Sequence, residues 1–505
     1  MNNDFASPVA ADCPSMHLVL INPYPESARG INEGTIEPPL GLTYLAAAAR
    51  DRGYLVDLID ANALKIGTIP LTDHIISVNP TLLGISTNVV THAAGRDLIA
   101  ALRAAGFPGR VILGGPLPSA LPEYCLNATE ADAVAVGEGE QTLTEVLENI
   151  AGESEEPFQG VAGCVWRKRD GEIVHEPPRP LIENLDSLPL PAWDLLPPFA
   201  YYKSRARRRP IGAIICSRGC PYQCTYCNKS VFGSRYRRYS IGRAIREVGL
   251  LVEKFGIRQL DILDDNLTLD LEWAKEFFRG LARFGLAVNL QNGIRADLCD
   301  EELASLMKSA GVFKISIGVE SGCPETQLRI KKNLALDRVL QTTRWAQERG
   351  IVVYGNFILG LPDDSAESMR QTIDFAIRMD PDAATFNFLV PLPGSEVWVE
   401  IEKLGEFHFQ LDDPAASGFY GSGIRFQLPG MDAKEVARFY HRAYRRFYLR
   451  PRKIWSLFVR ALRPGEFLWL LQTVWGVLGL PIPPGPRFLY PARRRIGLKS
   501  GPRVC

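Results

Sequence analysis

The sequence predicts an α/β protein with an N-terminal doubly wound parallel sheet, a partial (β/α)6 barrel and a helical C-terminal region. Three observations predict it. From residue 16 to 150, short β-branched runs alternate with helical stretches, the pattern of a parallel sheet covered on both faces. A proline-rich stretch, 151–205, follows. A second alternation with six strand-like runs then fills 206–430, enough for an open barrel and short of a closed one.

His17 to Pro23 reads as a buried strand running into a loop. Leu42 to Arg52 is an Ala-rich helix stopped by Gly53. Tyr54–Asp60 and Thr81–Thr87 are the next strands, and Ala94–Ala105 is a helix. Val111–Leu113 runs into Gly114-Gly115-Pro116, and Ala133–Val136 into Gly137-Glu138-Gly139-Glu140. These glycine-rich turns all follow strands. They therefore crowd the carboxyl edge of the sheet, where such folds bind ligands.

Within 151–205, a β-like piece at Val161–Val174 precedes seven prolines between Pro177 and Pro198. Apolar residues interleave with them, so the stretch reads as an ordered linker. The second series has strands at Ile211–Cys216, Gln259–Leu263, Ala287–Gln291, Phe313–Ile317, Val352–Leu359 and Ala384–Leu389. Helices include Ile241–Phe255, Leu271–Phe284 and Asp300–Ala310. Residues 1–15 are expected to be disordered, and 431–505 helical, basic and then apolar.

Composition narrows the function. Lys+Arg and Asp+Glu both number 57 in 505 residues, so the chain is not built to neutralise nucleic-acid phosphates. With 46% apolar and 23% charged residues it is globular. Met1–Ser15 carries no secretory pattern, and no uninterrupted apolar run is long enough for a bilayer. Phe467–Leu480 is too short and holds Gln472 and Thr473. A cytoplasmic location is expected, with the ten cysteines reduced.

Four cysteines fall between Cys216 and Cys227. Cys220, Cys224 and Cys227 share one loop, spaced by three residues and then two, directly after a strand. An iron–sulfur cube held by three thiolates leaves one iron free for a ligand. The alternatives are a zinc site or redox thiols. Zinc would want a fourth ligand, and Cys216 lies in the apolar strand, facing the core.

At these residues the sequence resembles the radical SAM superfamily, whose three cysteines carry an aromatic before the last, here Tyr226. The resemblance implies a [4Fe-4S] cluster on the three thiolates. Its free iron chelates S-adenosyl-L-methionine, and one electron releases a 5′-deoxyadenosyl radical. It also implies an electron donor such as flavodoxin or ferredoxin. Asp264 and Asp265 would face the methionine ammonium, with a capping turn as the alternative. Arg295 is a candidate fork for the cofactor carboxylate, or else a surface ion pair. Glu320, between glycines at a strand end, is a candidate for the ribose or amino group.

Upstream, no G-x-G-x-x-G turn or P-loop follows a strand. Glu37-Pro38-Pro39-Leu40-Gly41 opens the first helix instead, and the Gly137–Glu140 turn ends the fifth strand. With the cysteines about 80 residues on, this order resembles cobalamin-binding radical SAM enzymes. The resemblance implies cobalamin on residues 16–150. Candidate contacts are Asn22, Glu37, Gly41, Ser86, Thr87, Gly114, Gly115, Gly137, Glu138, Gly139 and Glu140. The axial D-x-H-x-x-G loop is absent, and His92 follows the wrong strand. The lower face of cobalt is expected to meet apolar or small polar groups, or water.

Two such cofactors imply methylation of an unactivated carbon in a small-molecule or lipid-like substrate. Oxidative cyclisation or rearrangement is the alternative, and a non-enzymatic cobalamin carrier or sensor a remote one. The tail interleaves Arg442, Arg445, Arg446, Arg450, Arg452 and Lys453 with Tyr444, Phe447, Tyr448 and Trp455. That pattern suits a helix pair packed on the barrel or a peripheral contact with an anionic membrane surface.

Overall fold

The computed structural model describes residues 16–25, 36–202, 207–411 and 423–461. The expected disordered segment 1–15 and the apolar run Phe467–Leu480 lie outside them.

The first sheet has seven strands in the order β2-β1-β3-β4-β5-β6-β7. These are β1 (His17–Asn22), β2 (Leu55–Asp60), β3 (Leu82–Ser86), β4 (Arg110–Gly114), β5 (Ala133–Ala135), β6 (Cys164–Arg167) and β7 (Ile173–His175). The first five run parallel, and β6 and β7 add an antiparallel edge. Residues 164–175 thus extend the N-terminal sheet although they fall in the stretch expected to link domains. β1 lies inside the sheet between β2 and β3, and Leu18, Val19, Leu20 and Ile21 are accordingly all buried, alternating between its two faces. Leu18 and Leu20 meet the helices Leu40–Asp51 and Gly139–Ala151. Val19 and Ile21 meet Thr68–Val78 and His92–Ala104.

The second sheet has six strands in chain order, all parallel. They are β8 (Ile211–Ile214), β11 (Gln259–Ile262), β12 (Ala287–Ile294), β13 (Val312–Glu320), β14 (Val352–Leu359) and β15 (Ala383–Phe388). Between the first two stands a small hairpin, β9 (Ser217–Arg218) with β10 (Arg237–Arg238). Its loop carries the three clustered cysteines. The helix Ile241–Phe255 starts on the Ser240 side chain, which accepts from Arg243 N, and ends on left-handed Gly256.

The stretch between the domains is stitched in place. Trp193, Phe199 and Tyr202 are buried, and the Tyr202 hydroxyl donates to Asp60 Oδ2 at 3.0 Å. The helix Ala433–Tyr448 covers the open edge of the barrel. Tyr448 Oη donates to the Ala384 carbonyl at 2.8 Å, and Tyr444 Oη to that of Phe386 at 3.2 Å, both on β15. The edge strand, a ready template for mispairing, is thereby occupied. Among the described residues no helix is long and apolar enough to cross a membrane.

Candidate active site

Where the carboxyl edge of the first sheet meets the thiol loop, a cleft encloses roughly 830 Å³, counting its open mouth. Its lining is chiefly apolar: Leu20, Leu45, Ile112 and Leu143 from the first domain, with Ile215, Val231 and Phe232 from the second. Gly41, Ser86, Gly114, Gly115 and Gly137–Glu140 also line it, as expected of that edge. Gly115 has φ +100°, and a Cβ there would meet the Thr87 carbonyl oxygen. Only glycine lets β4 turn away so close to β3.

Three residues expected here lie elsewhere. Asn22 donates to Asp60 Oδ1 at 2.8 Å and is absorbed in that buried cluster. Thr87 is buried behind the wall. Glu37 faces Asp261 and Lys314 of the barrel, where burial and Asp261 raise its carboxyl to about 7. Glu138 and Glu140 do border the cleft, but their carboxylates are committed to arginines. Arg218 donates from Nη1 to Glu138 and from Nη2 to Glu140, each at 2.7 Å, and Arg237 reaches the other oxygen of Glu138 at 2.7 Å. All four side chains are almost fully buried. The Arg218 guanidinium also lies 5.3 Å from the Tyr44 ring centroid and 5.1 Å from that of Phe232. Sequence reading passed over Arg218, Tyr44 and Phe232.

In the thiol loop, Cys220 and Cys224 are half-buried and Cys227 is exposed. Burial, with the nearby Cys224 and Asp265, pushes the Cys227 thiol up to about 11. Burial raises Cys220 likewise. Solvent reaches Cys227 and Asp265 although protein surrounds them on most sides. Cys216 is 1% exposed and packs in the core. Hydrogen bonds clamp the loop: Thr225 N to the Ile330 carbonyl, Val397 N to that of Thr225, and Asn228 Nδ2 to that of Pro393.

The expected S-adenosylmethionine contacts divide. Asp264 is buried, accepts from Cys216 N at 3.0 Å and from Ser217 Oγ at 2.5 Å, and so fixes the entry to the loop rather than facing a ligand. Burial raises its carboxyl to about 7. Asp265 is exposed beside Cys220 and Cys227. Arg295 is paired with Asp297 at 2.9 Å. Glu320 ends β13 at φ +64°, a backbone cost of about 1–3 kcal/mol, and pairs with Lys332 at 2.9 Å. Lys332 Nζ in turn lies 5.9 Å from the centroid of the Tyr226 ring.

The Radical SAM superfamily model matches residues 214–376, and the B12 binding domain model matches 27–147. An uncharacterized methyltransferase of Pyrococcus horikoshii is 31% identical over 448 residues, 86% of this chain and 93% of its own. The chain belongs to the cobalamin-binding radical SAM enzymes. The cytidylyl-2-hydroxyethylphosphonate methyltransferase of Streptomyces wedmorensis is 30% identical, covering 83% of this chain and 88% of its own. The fold matches the radical SAM methyltransferase TsrM of Kitasatospora setae at TM-score 0.67 and 18% identity, over 90% of both chains.

Radical SAM enzymes of this kind work with a [4Fe-4S] cluster, S-adenosyl-L-methionine and cobalamin. The residues present fit them. Among the described residues, no three His, Cys, Asp or Glu side chains gather tightly enough for a single metal ion. A four-iron cube spaces its thiolates more widely, and three thiols on one clamped loop suit it. The broad apolar cleft suits a large flat ring, and no histidine is among the described residues that line it.

Proposed function

We propose that this radical SAM enzyme is a C-methyltransferase acting on an unactivated carbon of a small-molecule or lipid-like substrate. One observation carries the reading: the first domain's apolar cleft is walled by Val231 and Phe232 of the loop that also carries the three cysteines, so the two cofactor sites are neighbours. Two relatives bearing the name methyltransferase, each matching most of the chain, support it. Cys220, Cys224 and Cys227 hold the cluster, and Asp265, Glu320 and Tyr226 border the bound S-adenosylmethionine. When bound, these groups supply a 5′-deoxyadenosyl radical and a cobalt-carried methyl group. The chain's own part is placement and exclusion of water. Leu45, Ile112, Ile215 and Phe232 keep the space apolar, and the ion pairs of Arg218 and Arg237 hold the two halves together.

The reading extends to partners. A flavodoxin or ferredoxin donates the electron. Leu449, Ile454 and Trp455, exposed beside Arg452, make a peripheral contact with an anionic membrane surface.

The test is anaerobic reconstitution with iron, sulfide and hydroxocobalamin, then turnover with a deuterated methyl on S-adenosylmethionine. Methyl transfer gives labelled product with equal amounts of 5′-deoxyadenosine and S-adenosylhomocysteine. Turnover that yields deoxyadenosine without S-adenosylhomocysteine rejects it in favour of cyclisation or rearrangement.

A further inference from the structure

We propose that Arg218 is a positioning residue that makes cobalamin seating depend on assembly of the iron–sulfur cluster. The inference rests on the cofactor reading above. Arg218 belongs to two structures at once. Along the chain it stands two residues before Cys220, with Gly219 between them. Gly219 has φ +82°, and a Cβ there would run into the Arg235 carbonyl. The backbone joining Arg218 to the first thiol is therefore a fixed turn with little slack. A cluster that draws the three thiols together therefore acts directly on this turn, and through it on the position of the arginine.

Across the domain boundary, the same guanidinium is part of the cleft. It lines the cavity, as do Tyr44, Phe232, Glu138 and Glu140, all of which it touches. Its two-pronged donation holds both carboxylates of the Gly137–Glu140 turn, and only a fork of this shape can hold the two at once. Without a cluster on the thiols, the base of the fork loses that restraint, and the turn that edges the cleft is braced less firmly. Two sites that both bias the position of one element share a coupling free energy, and the coupling acts equally in both directions.

The opposite reading is a domain rivet with no coupling. It predicts that loss of Arg218 weakens cobalamin binding equally whether or not the cluster is present. The experiment is equilibrium binding of hydroxocobalamin to the full chain, under anaerobic conditions, with the cluster built and with it removed by chelator. In the unmodified protein, cluster removal weakens binding at least fivefold. In a variant carrying Arg218→Met with Glu140→Gln, the dependence falls below twofold. That pair keeps the buried charge balanced, because Arg237 and Glu138 remain matched. Arg218→Lys, which keeps the charge and loses the fork, also loses most of the dependence.

Equal binding to the unmodified protein with and without its cluster overturns the proposal, whatever the variants do. So does a variant that binds weakly yet retains the fivefold dependence. Absence of binding to every form instead removes the cobalamin assignment, and the proposal with it.

Discussion

The guanidinium of Arg295 lies 3.7 Å from the centroid of the Tyr222 ring, inside the thiol loop. The same side chain pairs with Asp297 and donates to the Asn333 carbonyl at 3.1 Å. It is therefore a strut under the loop rather than a free fork for a cofactor carboxylate. A partly desolvated cation–π contact is worth about 1–2 kcal/mol. Arg295→Leu should lose iron to a chelator several-fold faster than the unmodified protein. Its affinity for S-adenosylmethionine should change less than threefold. A tenfold loss of that affinity with normal iron retention would restore the fork.

Cys216 provides the control for the cluster. Changing Cys220, Cys224 or Cys227 to Ala should abolish both the cluster's absorbance and reductive cleavage of S-adenosylmethionine. Cys216→Ala should keep both, because its thiol is buried in the core, and cost about 1 kcal/mol for the lost packing. Iron analysis and deoxyadenosine release check this. A Cys216 variant without cluster, alongside a dispensable member of the three, would break the assignment.

Much of the fold was legible because its strands are buried on both faces or alternate strictly. β1 reads as four apolar residues between polar ends, and β14 alternates buried with half-buried positions throughout. The helix Ile241–Phe255 announces itself by its Ser cap and Gly stop. The hairpin β9–β10 was invisible, since two-residue strands carry no period. The site was legible where chemistry is local, as in three thiols on one loop. It was obscure where a charge finds its partner far along the chain. Glu138 looks like a ligand residue until Arg218 and Arg237 arrive from 80 and 99 residues away. Asp264 looks like a mouth residue until its neighbour strand turns two hydrogen-bond donors, Cys216 N and Ser217 Oγ, onto it.

Glu247 should leave a mark on stability against pH. It is fully buried, accepts from Tyr44 Oη at 3.2 Å, and burial raises its carboxyl from 4.5 to about 7. Between those values the folded protein holds a proton that the unfolded chain has released. Its contribution is complete below pH 4.5 and is lost as pH rises through 7, on the order of 3 kcal/mol in all. Glu247→Gln keeps the acceptor for Tyr44 and removes the titration. The variant and the unmodified protein should melt close together at pH 5, and the variant should melt higher at pH 8. Parallel melting curves across that range would show that Glu247 does not titrate there.

The lower face of cobalt should carry no protein nitrogen. Among the described residues lining the cleft there is no histidine. His92, the ring nearest in sequence to a lining strand end, is fully buried with its centroid 5.7 Å from that of Tyr124. It begins the helix His92–Ala104, which packs on the sheet face formed by Val19 and Ile21. To reach the cleft it would have to leave that core, at a cost comparable to emptying a large buried side chain, about 3 kcal/mol. The paramagnetic spectrum of the cob(II)alamin-loaded protein should therefore be unchanged when its histidines carry ¹⁵N. The cofactor's own base, if coordinated, keeps its ¹⁴N splitting in that experiment, so the isotope separates the two sources. His92→Ala should superimpose on the unmodified protein. A splitting pattern that follows the histidine label, and vanishes in His92→Ala, would require the helix to move and would overturn this account of the cleft.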